Sequence, residues 1–403
     1  MTQDKQHNRP NVPPLRFPEF SGEWEKHLTT DFFEFKNGLN PDVKRFGSGT
    51  KFISVMDILN NRYITYDKII SSVEAKDDDL RDFGVNYGDI LFQRSSETLE
   101  DVGRANVYLD EKPALFGGFV IRGKRIGDYN PLFFRYLLSS PSVRKRIIVK
   151  GAGAQHFNIG QDGLSKVSLF VPSAKEQDRI AQLLNAIDKR IEVQSGLIEK
   201  LESLISGITL NISKSDDCES IRLSEILTER NEVNTAQYEV YSVSVSQGVV
   251  NQVDYLGRSF AAKDTSNYNV VHYGDIVYTK SPTGDFPYGI VKRSGQTDPV
   301  AVSPLYGVYK PASNEIGCFL HYYFCNPVSA KNYLHKLIQK GAKNTINITN
   351  QRFLENTIKV PKAEKLTIVV KLLNQISAKK QHAEELLTYY RKQKRYFLSQ
   401  MFI

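Results

Sequence analysis

The sequence predicts an α+β protein with an internal pseudo-twofold duplication, in which two globular domains are separated by two long helices forming an antiparallel coiled coil. Three observations predict it. The stretch NYGDILFQRSS (86–96) returns as HYGDIVYTKSP (272–282), 186 positions later. GAGAQHFNI (151–159) resembles GAKNTINI (341–348) at nearly the same offset, and a long amphipathic segment follows each repeat. Repeats in one order at one offset indicate that the same structural unit occurs twice.

The first part of each half consists of short β-prone runs separated by Gly, Asn and Asp, which predicts strands and turns. Examples are KFISV (51–55), DILFQ (89–93) and DIVYT (275–279). The apolar segments after Pro131 and Gly317 predict helices, and the spacing of their aromatic residues is typical of a core rather than of base stacking. These aromatic residues are Phe133, Phe134, Tyr136, Tyr322, Tyr323 and Phe324.

Each half ends in a helical segment. Ser173-Ala-Lys-Glu176 predicts a capping box at the start of the first helix. Apolar residues then recur at alternating steps of four and three, which is typical of a coiled-coil seam. The second seam contains Lys380 and Lys394, and Lys362 stands where the first helix has its capping serine. We expect the two seams to be buried together, with Gln194 fixing the register. The seam residues are Ile180, Leu184, Ile187, Ile191, Gln194, Ile198, Leu201 and Ile205 in the first helix, and Val369, Leu373, Ile376, Leu387 and Tyr390 in the second.

The composition is that of a soluble globular protein whose basic balance suggests a polyanionic partner, with a basic surface that binds nothing as the alternative interpretation. The 403 residues suffice for two domains, and the formal net charge of +8 favours a partner such as nucleic acid. Three cysteines, without a disulfide pattern, fit a reducing cytosol, so we expect a cytoplasmic protein. The seven histidines are scattered and predict no metal site, and no apolar run is long enough to span a membrane.

Motifs for catalysis are missing from the sequence. There is no Asp/Asn-Pro-Pro-aromatic loop of an amino-methyltransferase and no phosphate-binding GxxxxGK[ST] loop. A weak carboxylate set at Pro41-Asp42 and Glu74-Ala-Lys76 has no counterpart in the second half. The pattern favours a non-catalytic reader of two different DNA half-sites. A self-contained DNA-modifying or DNA-cleaving enzyme with unrecognised motifs, and a coiled-coil scaffold that binds no DNA, remain as alternatives.

Candidate DNA contacts lie just beyond the repeated motifs. In the first copy, a Gly88-Asp89 turn and a buried strand deliver polar residues to the exposed strand end, where Arg94 could contact guanine through two hydrogen bonds. The second copy has Lys280, a point charge, in this place. The alternative interpretation is that these are solvated strand-end charges. The candidates are Gln93, Arg94, Ser95, Ser96 and Arg104 in the first half, and Thr279, Lys280, Ser281 and Thr283 in the second.

The small-residue loops after Gly151 and Gly341 form the other candidate pair. Small residues let a ligand approach the backbone closely, and amide, imidazole and hydroxyl groups can bond to bases or phosphates. Equally, they could be tight loops leading into strands. The candidates here are Gln155, His156 and Asn158 in the first half, and Lys343, Asn344, Thr345 and Asn347 in the second.

The chain resembles the specificity subunits of type I restriction–modification systems. The resemblance is carried by PLRFPEFSGEWEK (14–26), by the twin Tyr-Gly-Asp-Ile motifs and by VPS..EQ.RIAQLL.AID.RIE (171–192), with a weaker echo after Val360-Pro361. It implies a disordered tail at 1–15, target-recognition domains at 16–172 and 215–361, and conserved helices at 173–214 and 362–403.

The resemblance also implies a function and partners. Each target-recognition domain would read one half of an asymmetric bipartite target in double-stranded DNA, with the helices setting the spacer. Two DNA-methyltransferase subunits and the restriction–translocation subunits would be the protein partners. Catalysis would reside in those partners, so S-adenosylmethionine, ATP and Mg would bind there, and this chain would need no cofactor or membrane.

Overall fold

The computed structural model describes residues 11–153, 155–212, 215, 217–258, 261–340 and 346–403. The chain divides into two compact units. The first comprises the chain up to Gln194 together with Leu386–Ile403, and the second comprises Ser195–Glu385. Each unit therefore contains one globular part and a portion of both long helices. No helix in the described part of the chain is long and apolar enough to cross a membrane.

The first unit contains eleven strands among its described residues. They are β1 (Glu25–Leu28), β2 (Phe33–Asn37), β3 (Phe46–Ile53), β4 (Ser72–Val73), β5 (Ile90–Gln93), β6 (Ser95–Ser96), β7 (Ala105–Val107), β8 (Leu115–Phe116), β9 (Val120–Arg125), β10 (Phe157–Asn158) and β11 (Ser168–Val171). Its helices are α1 (Val55–Asn60), α2 (Asp79–Phe83), α3 (Pro131–Ser139), α4 (Pro141–Ile148), α5 (Gln161–Ser165) and the first part of α6 (Ala174–Ile212).

The second unit continues the series. Its strands are β12 (Cys218–Arg222), β13 (Leu227–Glu229), β14 (Tyr241–Ser244), β15 (Gly248–Asn251), β16 (Asn269–Val271), β17 (Ile276–Thr279), β18 (Ile290–Arg293), β19 (Val300–Val302), β20 (Gly307–Pro311), β21 (Gln339–Lys340), β22 (Ile346–Asn347) and β23 (Thr357–Pro361). Its helices are α7 (Leu223–Ile226), α8 (Gln252–Leu256), α9 (Asn314–Cys325), α10 (Pro327–His335), α11 (Asn350–Phe353) and most of α12 (Ala363–Gln400).

The two units have the same central sheet. Its order is β2-β9-β5-β7 in the first unit and β13-β20-β17-β18 in the second, with antiparallel neighbours in both. Ile90 lies opposite Gly123 in the first unit, and Ile276 lies opposite Tyr309 in the second. Each residue of the second pair comes 186 positions after its counterpart in the first pair. The duplication predicted from the sequence is therefore confirmed at the level of strand register.

Aromatic side chains fill the cores as their spacing predicted. Phe133, Phe134 and Tyr136 on α3 are fully buried, as is Phe324 on α9. Pro131 and Pro141 each occupy the first turn of their helix, where proline costs no hydrogen bond, and Asn130 and Ser140 cap these helices through their side chains. Two short helices thus close the core beneath the central sheet.

The repeated Tyr-Gly-Asp-Ile motif is structural framework. Gly88 and Gly274 have positive φ angles of +90° and +88°, a region that favours glycine. The Asp89 carboxylate accepts the backbone N–H groups of Asn86 (3.0 Å) and Arg125 (2.9 Å), which joins the turn to the neighbouring strand. Burial raises the pKa of Asp89, although these two backbone hydrogen bonds oppose that shift. The motif therefore recurs because the central strand begins in the same way in both units.

Replacing Gly88 with alanine should lower the free energy of unfolding by about 1–3 kcal/mol, because a Cβ at positive φ is strained. The new Cβ would also lie 2.9 Å from Cδ of Arg125. Urea unfolding followed by fluorescence of Trp24, the single tryptophan of the chain, measures this directly. Gly160→Ala is the matched control, since Gly160 has φ −103° and no atom within 4 Å of its Cβ position. Equal stability of Gly88→Ala and wild type would contradict the framework interpretation.

Within the first unit, the beginning of α6 runs antiparallel to the end of α12. Lys394 Nζ lies 2.6 Å from the Asp188 carboxylate, and the Arg190 guanidinium lies over the ring of Tyr390. Asp188 is 4% exposed and also accepts the Tyr136 hydroxyl at 2.8 Å. Lys394, an unexpected lysine in an apolar seam, is thus accounted for by a buried carboxylate on the partner helix.

Within the second unit, the same two helices again run antiparallel. Lys380 Nζ lies 2.8 Å from Glu202 and 3.3 Å from Glu384, while Lys365, fifteen positions earlier on α12, contacts Asp217 just beyond α6. The seam residues in both units are buried or half-buried, which confirms the predicted coiled-coil pairing. The buried members are Ile180, Leu184, Ile187, Val369, Leu373, Ile376 and Leu387.

The expected capping box at the start of α6 is replaced by a long-range interaction. The Glu176 carboxylate is 1% exposed and accepts two hydrogen bonds from Arg16, at 2.8 and 2.7 Å, and one from Trp24 Nε1 at 3.3 Å. Among the described residues, these are the groups that donate hydrogen bonds to the Glu176 carboxylate. Ser173 contributes its backbone carbonyl, which accepts the N–H groups of Glu176 and Gln177. A buried carboxylate takes the charged partner because an ion pair offsets more of its desolvation than one backbone N–H does.

Candidate nucleic-acid interface

The fold brings the two candidate segments of the first unit together. Beyond β5, the short strand β6 pairs with β10, with Ser95 opposite Asn158 and Ser96 opposite Phe157. The backbone N–H of Ile159 donates to the carbonyl of Arg94 at 3.0 Å. Residues that lie some sixty positions apart in the sequence therefore form one continuous surface at the end of the central sheet.

Polar side chains cover this surface. Arg94 is half-buried and donates from Nη1 to the Gly118 carbonyl at 3.3 Å, and Ser95 donates its hydroxyl to Oδ1 of Asn158. Gln155 and His156 are exposed on the loop that leads into β10. The arrangement offers a guanidinium, hydroxyls, an amide and an imidazole on one face, which are the groups that bond to bases and phosphates.

Two candidates differ from the sequence expectation. Gln93 and Thr279 are 5% and 2% exposed, so the strand does not deliver their side chains to solvent. Each is the last residue of a central strand that has neighbours on both sides, and each stabilises the turn that follows. Gln93 Nε2 donates to the Ser95 carbonyl at 2.9 Å, and the Thr279 hydroxyl accepts from the Ser281 N–H at 3.3 Å. The accessible residues begin one position later, at Arg94 and Lys280.

Arg104 lies on the connection between β6 and β7. It is exposed and pairs with Asp101 at 2.6 Å. The connection is tied to α4 by Arg144, whose Nη2 donates to the carbonyls of Glu100 (2.8 Å) and Val102 (2.7 Å). Burial, together with the nearby charge of Arg104, lowers the pKa of Arg144 to about 10. A surface ion pair contributes little, so Arg104 remains available to a phosphate.

In the second unit the corresponding strand end carries Lys280, which is half-buried. Desolvation lowers its pKa, and the charge of Glu229 opposes that shift. Ser281 is exposed, and Thr283 is exposed on a turn closed by reciprocal backbone hydrogen bonds to Phe286 at 3.1 and 2.9 Å. Lys343, Asn344 and Thr345 lie outside the described residues. Asn347 pairs with Gln339 through the backbone of β22.

A third segment, which the sequence reading missed, borders each strand end. In the first unit it is the turn between β8 and β9, where the Phe119 carbonyl accepts the N–H of Arg94 at 2.9 Å. Its equivalent in the second unit lies before β20, at Leu305. The sequence contained a signal for this segment, because the 186-residue offset of the repeat relates Phe119 to Leu305.

Within the described residues, no group of three or more His, Cys, Asp or Glu side chains is arranged to hold a metal ion. The candidate surfaces instead consist of hydrogen-bonding and basic groups. These two strand-end surfaces are formed by the same backbone framework but carry different side chains.

Comparisons with known proteins agree on one family. Residues 21–203 match the type I restriction modification DNA specificity domain. Over 183 residues the chain is 28% identical to the type I restriction enzyme EcoKI specificity subunit of Escherichia coli (strain K12), an alignment that covers 44% of this chain and 39% of that protein. The matched part thus spans less than half the length of that curated relative.

Two solved structures extend the likeness in fold to nearly the whole chain. The crystal structure of a type I restriction–modification S subunit from M. genitalium has a TM-score of 0.61 and 15% identity, covering 97% of this chain and 99% of that one. A structure described as the basis of complex assembly and conformational transition of the type I R-M system has a TM-score of 0.52 and 11% identity, covering 96% and 98%.

Proposed function

We propose that this chain, whose residues 21–203 match the type I restriction modification DNA specificity domain and whose fold is similar to that of a solved S subunit, selects the DNA sequence on which a restriction–modification complex acts. Its two recognition domains, 16–172 and 215–361, would each read one half of an asymmetric bipartite target. The helical segments 173–214 and 362–403 would set the unread spacer by their length, since α6 and α12 contain 39 and 38 residues.

This proposal rests on one observation: the central strands of the two units have the same pairing register, but the residues that follow them differ. The central strands of the two units pair identically, yet one ends in Arg94-Ser95-Ser96 and the other in Lys280-Ser281-Pro282. A symmetric dimer presents identical surfaces and reads a palindrome. A duplicated frame with different surfaces is suited to two different half-sites.

The proposal assigns no catalytic step and no cofactor to this chain. DNA methylation and ATP-driven cleavage would belong to two methyltransferase subunits and to the restriction subunits, with S-adenosylmethionine, ATP and Mg bound there. Exposed apolar residues on the long helices support docking of a protein partner, because such residues are depleted on freely solvated helices. They include Val193 (70% exposed), Leu197 (43%), Leu204 (48%), Ile368 (68%) and Leu372 (43%).

Methylome sequencing of the host, with and without this gene, tests the proposal. We expect one asymmetric motif, composed of two specified blocks and an unspecified spacer, to lose methylation when the gene is removed. Footprinting of the assembled methyltransferase on that motif should show two protected blocks about one helical turn apart. A single continuous palindromic footprint would contradict the assignment.

The isolated chain provides the complementary measurement. Titration calorimetry with S-adenosylmethionine, and incubation of DNA with the chain and Mg, should give neither binding nor cleavage. Activity in either assay would instead favour a self-contained enzyme. DNA retention that does not weaken as salt rises would favour a scaffold, because neutralised phosphates make true binding steeply salt-dependent.

A further inference from the structure

One large apolar residue stands in solvent at the same position of each central sheet. Phe119 is 70% exposed, and Leu305 is 72% exposed. Register fixes their equivalence: Ile90 pairs with Gly123 and Ile276 pairs with Tyr309. Counting back four positions from each partner gives Phe119 and Leu305. A single exposed apolar side chain is ordinary on a protein surface, but here it recurs at one register position of a diverged repeat, at the end of the sheet where the basic strand-end residues lie.

Phe119 adjoins the basic residue at the strand end of the first unit, and Leu305 holds the equivalent position of the repeat in the second. In the first unit, the Arg94 N–H donates to the Phe119 carbonyl at 2.9 Å, and Arg94 Nη1 donates to the adjacent Gly118 carbonyl. In the second unit, Tyr278 and Gly307 form the last pair of the corresponding ladder, and Lys280 and Leu305 each lie two positions beyond it, on the chain segments that leave this pair. An apolar side chain next to a cation on the strand-end surface matches the chemistry of a stacked base beside its phosphate.

The turn that carries Phe119 is held in place. Phe116 and Val120, on either side of it, are fully buried. The Leu39 N–H donates to the Phe116 carbonyl at 2.9 Å, and a Cβ on Gly118 would lie 2.0 Å from Oδ1 of Asn40. The Asn40 side chain therefore packs directly against this short turn, and the turn presents the exposed Phe119 ring.

The second turn is fixed in a different way. The Leu305 N–H donates to the Ser303 hydroxyl at 3.3 Å, and the Tyr306 N–H donates to the Ser303 carbonyl at 2.9 Å. Asn269 Nδ2 donates to the Tyr306 carbonyl at 2.9 Å. The two units thus reach the same outcome, an exposed apolar side chain on a turn whose backbone is held, with different sequences.

We propose that Phe119 and Leu305 are apolar wedges that press between or against the bases of their respective half-sites, beside Arg94 and Lys280. Phenylalanine and leucine are among the side chains that proteins insert at base steps, partly unstacking them. The inference rests on the proposed function, since it concerns how the recognition domains meet DNA. It adds a specificity element that senses how easily a base step unstacks, in addition to hydrogen bonding.

The test uses the assembled methyltransferase complex and a duplex bearing the motif identified by methylome sequencing. 2-Aminopurine, which fluoresces when unstacked, replaces adenines one at a time in each half-site. Binding of the wild-type complex should raise fluorescence at one step in each half-site. Phe119→Ala should abolish the rise in one half-site only, and Leu305→Ala in the other only, with affinity for the motif falling about tenfold or more in each.

Two controls keep the result specific. Ile126→Ala removes a 57%-exposed apolar side chain just beyond the opposite end of the strand that follows Phe119, and it should change neither signal. Phe119→Trp should retain the fluorescence rise, since it keeps a flat apolar ring. Unchanged fluorescence and affinity in both alanine variants would overturn the wedge assignment while leaving the proposed function intact. Failure of the wild-type complex to bind the motif would overturn the proposed function, and this inference with it.

Discussion

Replacing Asp188 with asparagine is expected to destabilise the first unit by about 3–5 kcal/mol, because it leaves two half-buried cations without their buried counter-charge. Asp188 lies 2.6 Å from Lys394 and 3.3 Å from Arg135, and its side chain is 4% exposed. An asparagine still accepts the Tyr136 hydroxyl but carries no charge. Urea unfolding followed by Trp24 fluorescence measures the loss, since that side chain is buried in the same core.

The loss should shrink as the pH rises. Burial already lowers the pKa of Lys394, and the charge of Asp188 opposes that shift. Without the carboxylate the pKa falls further, so the folded variant releases the proton while the unfolded chain, with a lysine pKa of about 10.4, still holds it. Where the unfolded state binds more protons, stability rises with pH. The difference between variant and wild type is therefore expected to narrow as the pH rises towards the unfolded lysine pKa of about 10.4.

Two further variants separate the buried pair from ordinary surface charge. Glu192 lies on the same helix as Asp188 and pairs with Arg62, but its side chain is 61% exposed. Glu192→Gln should therefore lower the free energy of unfolding by less than about 1 kcal/mol. Asp188→Leu combined with Lys394→Met replaces the closest charge pair with apolar groups and should recover part of the loss, because Arg135 and the Tyr136 hydroxyl still lack the carboxylate. If Asp188→Asn and Glu192→Gln lower the free energy of unfolding equally, the buried pair contributes no more than a surface pair.

This pair shows how far sequence periodicity reaches. The heptad pattern located both helices and placed Lys394 in the seam, because an apolar stripe is a local property of the chain. It gave no indication of the compensating carboxylate, since Asp188 lies beside the seam of the other helix, some two hundred positions away. Similarly, Glu176 fitted a local capping box, but Arg16 and Trp24 take its carboxylate. Long-range charge pairing outweighs a local motif wherever the acid is buried.

The candidate interface could likewise be predicted only in part from the sequence. The repeat located the ends of both central strands, and those positions can be found from sequence because duplication preserves register. The exposure of individual side chains could not be predicted, since it depends on how many neighbouring strands flank the end of the central strand. Gln93 and Thr279 are covered on both sides, whereas Arg94 and Lys280 emerge one residue later. Phe119 escaped notice because the exposure of a phenylalanine is visible only once the turn around it is folded.

Arg94 should have the largest effect on DNA recognition among the accessible residues of the first unit. Its backbone is held on both sides, by the Phe119 carbonyl at 2.9 Å and by the Ile159 N–H at 3.0 Å, so the guanidinium is well positioned. One Nη1 hydrogen bond to Gly118 leaves the remaining donors for a base. Arg94→Ala is therefore expected to weaken binding of the methyltransferase complex to its motif about 10–100-fold and to relax one base preference in one half-site.

Substitution of Arg94 by lysine distinguishes a contact with a base from a contact with a phosphate. Arg94→Lys keeps the charge but loses the paired hydrogen bonds, so it should relax the same base preference with a smaller loss on unrelated DNA. Arg81→Ala, which removes a 69%-exposed arginine already paired with Asp78, should leave the preference unchanged. If Arg94→Ala weakens motif and unrelated duplexes equally and lowers the salt dependence by about one phosphate contact, then Arg94 binds the backbone only. Base discrimination at that strand end would in that case fall to the serines, Asn158 and the exposed loop beside them.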